Sequence, residues 1–268
     1  MVKIQYASRL FMDHIPVLNA RHILRPSVAP YLVLAGNCVH PDHSTTDMFL
    51  KYLSCHWKKT FIVPGIIEHS SSAYNALCWQ TQAEVLRNKS MHHKNVFICE
   101  HSIHREPEFT LIATPLGGAF IGARHELEAL DPPLKNFKTK DKTLRSMNFI
   151  NKEDQSFLCN ALRAEEGSSK PIVVATYQLP ALDLVGNETI TNVAEGKQSP
   201  TSLTGTVSLL SPSIQRILRS PSLPLKAWIA GASDAAVSMV ADTPAKTLYT
   251  TNPGTSQGYK SDSFIDFS

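Results

Sequence analysis

The sequence predicts an α/β fold in which parallel strands alternate with helices. Residues 31–35 and 172–175 are apolar throughout, which is typical of strands buried on both faces of a parallel sheet. Between such runs, residues 45–57 and 71–88 carry apolar side chains at helical spacing. A strand–helix–strand rhythm indicates parallel pairing through helical crossovers.

The remaining elements follow from the same patterns. We predict strands at residues 2–7, 31–35, 60–63, 96–99, 109–113, 119–122, 172–175, 227–229, 236–240, 247–250 and 264–267, and helices at 45–57, 71–88, 152–165 and 207–218. Pro64 and Gly65 end the third strand. Residues 130–146 are polar and contain proline, and residues 187–203 are rich in Thr, Ser, Asn and Gly, so both are predicted loops.

Composition limits the classes of function. The 268 residues are 43% hydrophobic and 18% charged, which suits a single domain spanning residues 1–268 with a substantial core. A net charge of +3 is too small to indicate binding to nucleic acid, so we expect none. No apolar run approaches the roughly 18 residues of a membrane span, so we expect no transmembrane segment.

Cysteine usage and the N-terminus predict the compartment. The five cysteines (Cys38, Cys55, Cys78, Cys99 and Cys159) are scattered, odd in number and without a CxxC pair. Several lie in apolar runs, so buried free thiols in a reducing compartment are the simplest interpretation. The N-terminus begins with a strand pattern and lacks the features of a secretory signal. We therefore expect a cytoplasmic or other intracellular protein.

Five short segments occur in an order that belongs to a known enzyme family. They are residues 4–11, 32–37, 61–68, 172–180 and 228–234. Their order resembles that of the calcineurin-like metallophosphoesterases, over residues 3–267, and is closest to compact members found in bacteria, protists and large DNA viruses. The resemblance implies two mixed β-sheets packed as a sandwich and flanked by helices, in four layers. Active members hold two divalent metals in loops at the strand ends.

The resemblance also implies that this chain has lost the metal site. Two cations need a bridging carboxylate and several imidazoles to turn a bound water into hydroxide. The positions that should carry these ligands hold Arg9, Phe11, Asn37, Ile66, Ile67, Tyr177, Ala232 and Asp234. Gly65, Glu68 and Gly231 of the surrounding motifs remain. We therefore expect no metal, no other cofactor and no catalytic residue.

Arg9 places a positive charge where a metal ligand stands in the family. Asp234, on a neighbouring loop of the family fold, is its natural partner, because a buried arginine without a partner is costly. We predict that Arg9 and Asp234 form a pair that closes the former site. An exposed Arg9 and a phosphate-binding Arg9 are the alternatives.

Histidine pairs elsewhere have the spacing of metal ligands. His40 and His43 form one pair, and His101 and His104 another. Neither pair has a third ligand at a convincing distance in the sequence, so surface histidines are the expected interpretation.

These observations favour a catalytically inactive protein that serves as a structural or interaction module. The resemblance implies protein partners in a larger assembly, with the minor capsid or another virion component of a large DNA virus as one setting. A cellular scaffold fits the residues equally well. The alternatives are a hydrolase with a rebuilt one-metal or metal-free site using Asp234, Asn37 and nearby histidines, or a phosphate- or nucleotide-binding module that uses Arg9.

Overall fold

The computed structural model describes residues 2–12, 24–26, 29–71, 76–77, 79–117, 140–185, 207–208, 210–233, 235–241, 243–254 and 263–267. Within them the strands are β1 (Val2–Ala7), β2 (Tyr31–Ala35), β3 (Lys59–Val63), β4 (Ser70–Ser71), β5 (Ala76–Leu77), β6 (Val96–Ile98), β7 (Ser102–Arg105), β8 (Thr110–Thr114), β9 (Ile172–Thr176), β10 (Leu225–Ala230), β11 (Ser238–Val240), β12 (Leu248–Thr251) and β13 (Phe264–Phe267). The helices are α1 (Thr46–His56), α2 (Trp79–Ser90), α3 (Lys140–Ala164) and α4 (Pro212–Leu218), with a short 3-10 turn at Leu182–Leu184.

Two mixed sheets form the body of the domain. The first has the order β13-β1-β2-β3-β6, with β13 antiparallel to β1 and the other pairs parallel. The second has the order β11-β12-β10-β9-β8-β7, with antiparallel pairs at both edges and parallel pairs between them. The predicted fold class, an α/β sandwich of two mixed sheets, is confirmed.

Alternation along β2 shows how the layers are packed. Tyr31, Val33 and Ala35 belong to the core between the two sheets. Leu32 and Leu34 belong to a second core on the outer face of the first sheet, where α1 contributes three apolar residues: Phe49, Leu50 and Leu53. Since successive strand residues point to opposite faces, a strand buried on both faces must be apolar throughout.

Helices cover both outer faces. The first sheet is contacted by α1 and α2, and the second by α3, which lies against β8 and also packs on α4. The result is the predicted order of helices, sheet, sheet and helices. No helix in the described part of the chain is both long and apolar enough to cross a bilayer.

Three predicted helix starts are wrong, those of α2, α3 and α4. Helix α2 begins at Trp79 rather than at residue 71, because the small β4–β5 hairpin precedes it. Helix α3 begins at Lys140, so residues 140–146, predicted as loop, are helical. Their polar side chains suggested a loop, but polarity does not oppose helix formation where glycine and proline are absent.

The start of α4 is later than predicted, and this boundary has a local cause. Ser211 is the N-cap, with its side chain accepting a hydrogen bond from the Ile214 N–H, and Pro212 follows at the first helical position. Both features are typical of a helix start. The strand predicted at 119–122 and the loop at 187–203 lie outside the described residues.

Of the cysteines in the described residues, Cys38, Cys99 and Cys159 are buried, Cys55 is exposed, and all four are free thiols. Three of the four are therefore the predicted buried free thiols, whereas the prediction of burial is wrong for Cys55. Cys78 lies outside the residues whose side chains are described.

Candidate functional site

The loops that follow β2, β3, β9 and β10 meet at the carboxyl ends of these strands. Glycines make this approach possible. A Cβ atom at Gly36, whose φ is +79°, would lie 2.4 Å from Cδ2 of Tyr177, and one at Gly65 would lie 2.8 Å from the same atom. The Tyr177 ring therefore packs directly on the backbone of both loops, where a side chain at either glycine would stand.

We call the place where these four loops meet the junction. Tyr177 and Asn37 lie at its centre. The Asn37 Nδ2 donates to the Tyr177 hydroxyl at 3.0 Å, and its Oδ1 accepts from the Ile67 N–H at 3.1 Å. Asn37 is 1% exposed and Tyr177 is 6% exposed. The carbonyl of Tyr177 accepts hydrogen bonds from the N–H groups of Gly231 and Ala232. Four of the aligned positions, Asn37, Ile67, Tyr177 and Ala232, are thus brought together and bonded to one another.

Glu68 holds two loops of the junction together by hydrogen bonds. It is fully buried, and its carboxylate accepts four backbone hydrogen bonds at 2.6–3.2 Å, from Asn37, Cys38, Val39 and Gly65. Charge-assisted bonds of this kind are stronger than bonds between neutral groups. Glu68 therefore binds the loop after β2 to the loop after β3.

Arg9 and Phe11 lie on the first loop, at the rim of the junction. Their φ angles are 51° and 47°, and Asn37 opposite them has a φ of 55°. Left-handed conformations in residues other than glycine raise the energy by roughly 1–2 kcal/mol each and occur mostly where the surroundings enforce them. Here the Arg9 N–H donates to the Gly36 carbonyl and the Phe11 N–H to the Asn37 carbonyl.

The side chains of Arg9 and Phe11 also contact each other. The guanidinium carbon of Arg9 lies 5.5 Å from the centroid of the Phe11 ring, and both residues are partly exposed. This distance suits a cation–π contact. Asp234 lies outside the described residues, so the Arg9–Asp234 pair stays a prediction.

The donor set does not fit a two-metal centre. Ile66 and Ile67 are partly buried and Ala232 is buried, and none of the three has a side-chain ligand atom. The amide of Asn37 is already engaged on both sides by Tyr177 and by the Ile67 N–H. Among the described residues no group of three or more His, Cys, Asp or Glu side chains is arranged to hold a metal.

A histidine–aspartate pair lies at the same end of the second sheet and was missed by the sequence reasoning. His101 Nε2 lies 2.5 Å from Asp154 Oδ1, and Asp154 also accepts bonds from the Thr114 hydroxyl and the Gly117 N–H. The His101 side chain is 43% exposed, whereas that of Asp154 is 2% exposed. The hydrogen bond to Asp154 is the main cause of a raised pKa at His101.

The second histidine of that predicted pair, His104, is partly buried rather than fully exposed. It packs with its ring 4.8 Å from that of Phe61 and 5.1 Å from that of Phe97, and its Nε2 lies 3.4 Å from the Cys99 sulfur. Burial raises the pKa of the Cys99 thiol to about 12 and lowers the pKa of His104. Both groups are therefore neutral at pH 7, so this pair offers no thiolate nucleophile.

The His101–Asp154 pair makes a prediction about pH. Because the pKa of His101 is raised on folding, its contribution is complete below the unfolded value of about 6.5 and is lost as pH rises through the folded pKa. We expect His101→Gln to destabilise the protein near pH 5.5 by up to about 1 kcal/mol, since the imidazole is partly exposed, and by less near pH 9. Urea unfolding at both pH values measures this.

The matched control is His92→Gln, which changes an exposed histidine on the turn after α2. Its effect should be small at both pH values. A loss in His101→Gln that grows with pH, or that matches the control at every pH, would contradict the assigned role of Asp154.

Comparison with known proteins reveals a likeness in fold and not in sequence. No family model matches the chain, and no curated protein matches it. The phosphopantetheinyl hydrolase PptH of Mycobacterium tuberculosis is similar in structure at 14% identity, with a TM-score of 0.58 over 96% of this chain and 89% of that one. The protein TT1561 of Thermus thermophilus is similar at 11% identity, with a TM-score of 0.51 over 94% and 89%. A dimetal phosphatase from Danio rerio also matches, at 11% identity and a TM-score of 0.49 over 95% and 88%.

The two-sheet sandwich described above is therefore a fold that this chain shares, along nearly its whole length, with the first two proteins. At these identities the likeness concerns the fold alone, and the chemistry must be argued from the residues of this chain.

Proposed function

We propose that this protein is a catalytically inactive member of the metallophosphoesterase-like fold and acts as a structural or interaction module. The observation that carries the proposal is the bonded cluster of Asn37, Tyr177 and the Ile67 N–H. The family resemblance aligns Asn37 and Tyr177 with metal-ligand positions, and in this chain the amide of one is bonded to the phenol of the other. Both side chains are buried and bonded to each other, so the described residues of the junction offer no set of oxygen and nitrogen ligands for two cations.

Without two metals, the chain lacks the parts that this chemistry needs. A water must be converted to hydroxide at neutral pH, and the charge that develops on the phosphate must be stabilised. Of the residues at the junction, Glu68 is engaged by four backbone N–H groups and Tyr177 by Asn37. Neither is left to act as a base.

The finer part of the proposal concerns the partner. A rigid sandwich that catalyses no reaction can still present a surface that binds another protein. The family resemblance favours a role in a virus particle, such as a minor capsid protein of a large DNA virus. A cellular scaffold is the competing setting. The expected contacts involve residues 130–146 and 187–203, and a lasting contact should bury at least about 1,000 Å² in total.

We expect purified protein to contain no stoichiometric metal after growth with added manganese and zinc, and to show no phosphatase or phosphodiesterase activity above background with any divalent cation. Elemental analysis and assays on generic aryl phosphates measure both, with an active two-metal phosphatase as the positive control. The reason is the absence of a ligand set among the described residues of the junction.

Two results would contradict this expectation. One is a tightly bound ion that is lost in Asn37→Ala. The other is turnover that depends on Asn37 or Asp234, which would favour the rebuilt hydrolase.

For the structural role, the test is co-purification of a protein partner from the native source. A monomer that retains no partner there would remove the support for a structural module.

A further inference from the structure

A cleft between α3 and α4 lies outside the junction discussed above. It encloses about 540 Å³. This lies within the range of roughly 300–1,000 Å³ that is typical of small-molecule sites. One wall is a face of α3 and the other is the start of α4, around Ser211 and Ser213.

The α3 wall is polar and positively charged. Lys152, Ser156, Asn160 and Arg163 all line the cleft and recur at spacings of three and four, so they form a single helix face. All four are exposed. Among the described residues, the lining contains no carboxylate, and neither Lys152 nor Arg163 forms an ion pair.

The floor of the cleft is held in place by hydrogen bonds. Gln155 accepts from the Ser211 N–H at 2.6 Å and donates to the Asn151 Oδ1 at 3.0 Å. Asn151, which is 4% exposed, in turn donates to the hydroxyl of Ser208 at 2.8 Å. The bond from Gln155 joins α3 to the start of α4, so the two walls keep a fixed separation. A preorganised polar site of this kind binds without first having to be ordered.

The positions of the two cations set the shape of a ligand. Eleven residues of α-helix separate Lys152 from Arg163, which is roughly 16 Å along the axis. This is the separation of the two backbone positions, and both side chains are long, so an elongated ligand with an anionic group at each end can contact both charges from within the cleft. Between the cations stand hydroxyl and amide groups, which match the hydroxyls of a sugar.

We propose that this cleft binds a sugar that carries two phosphate groups, with one phosphate at Arg163 and the other at Lys152. Arg163 can bind a phosphate through two parallel hydrogen bonds, and Lys152 acts as a point charge. Ser156 and Asn160 contact the sugar between them. The site is separate from Arg9 and from the metal positions implied by the family, and it does not depend on whether the chain is an enzyme.

Isothermal titration with fructose 1,6-bisphosphate as the probe tests the proposal. We expect binding in the micromolar to millimolar range, and roughly tenfold weaker binding of fructose 6-phosphate, because one charge-assisted contact is lost. Unphosphorylated fructose should not bind measurably. In Arg163→Gln, the bisphosphate should bind roughly tenfold more weakly, and in Lys152→Gln its affinity should fall towards that of the monophosphate.

Lys226→Gln is the control, because it removes the same charge from an exposed position on β10 outside the cleft. It should leave the affinity unchanged. The proposal is overturned if the bisphosphate does not bind, if Lys226→Gln weakens binding as much as Arg163→Gln does, or if the bisphosphate and monophosphate bind equally. Lys152 and Arg163 are exposed, so both variants should fold, and circular dichroism checks this.

Discussion

Replacing Gly231 by alanine is expected to destabilise the protein by at least about 4 kcal/mol and to reduce the yield of folded protein, because the two sheets touch at this residue. A Cβ atom built on Gly231 would lie 1.5 Å from the carbonyl oxygen of Ala35. Backbone rather than a flexible side chain is in the way, so the end of β10 must move away from the end of β2. That movement also breaks the bonds from Gly231 and Ala232 to the Tyr177 carbonyl.

Gly167→Ala is the matched control for this variant. Gly167 has a φ of +76°, and a Cβ atom there meets nothing within 4 Å. Its alanine variant should lose only the roughly 1–2 kcal/mol of the left-handed conformation. Urea unfolding followed by tryptophan fluorescence compares the two, since Trp57 and Trp228 are buried reporters. Equal losses in the two variants would mean that the contact between sheets at Gly231 is not tight.

The buried strands show how much of the fold can be predicted from the sequence. The apolar runs at residues 31–35 and 172–175 predict buried strands, and the structure has strands at Tyr31–Ala35 and Ile172–Thr176, because a strand buried on both faces is apolar at successive residues. The two-sheet arrangement came from the family resemblance rather than from the runs themselves. Periodicity reports whether a residue is buried, but it does not report which strand lies beside it.

The start of helix α3 could not be predicted from the sequence pattern. Its first residues, 140–146, are polar except for Leu144, and the sequence predicts a loop there. Tertiary contacts do not require an apolar residue in every turn of a long helix, so a polar first turn leaves no periodic signal. In a sequence without glycine or proline breakers, the absence of a pattern is weak evidence for a loop.

The sequence predicts which residues lie at the candidate site, but it does not predict how their side chains interact. The resemblance located Asn37 and Tyr177, 140 residues apart, but only the structure shows the amide of one bonded to the hydroxyl of the other. His101 and Asp154 are a similar case at a separation of 53 residues. An aspartate buried on a helix carries no local signal of its partner, because that partner is supplied by another part of the fold.

In the sequence, Glu68 stands out only as a residue that survives, together with Gly65, in a motif whose other two members are Ile66 and Ile67. The structure gives a reason for its presence that needs no metal. Each of its two carboxylate oxygens accepts two backbone N–H groups: Oε2 from Asn37 and Gly65, and Oε1 from Cys38 and Val39. The loops after β2 and β3 are thus held together by one side chain.

Glu68→Gln is therefore expected to lower the free energy of unfolding by about 3–5 kcal/mol, a large effect for a change of one atom. The amide oxygen can keep two of the four N–H partners, but the amide NH₂ group faces the other two, and a donor cannot satisfy a donor. Because the side chain is fully buried, water does not replace the lost bonds. Glu84→Gln, at an exposed position on α2, is the control and should change stability by less than about 0.5 kcal/mol. Denaturant unfolding of both variants at pH 7 measures the difference. If Glu68→Gln were as stable as the control, the carboxylate would not be what joins the loops after β2 and β3, and the closed junction would have to be held by Tyr177 and the glycine contacts alone.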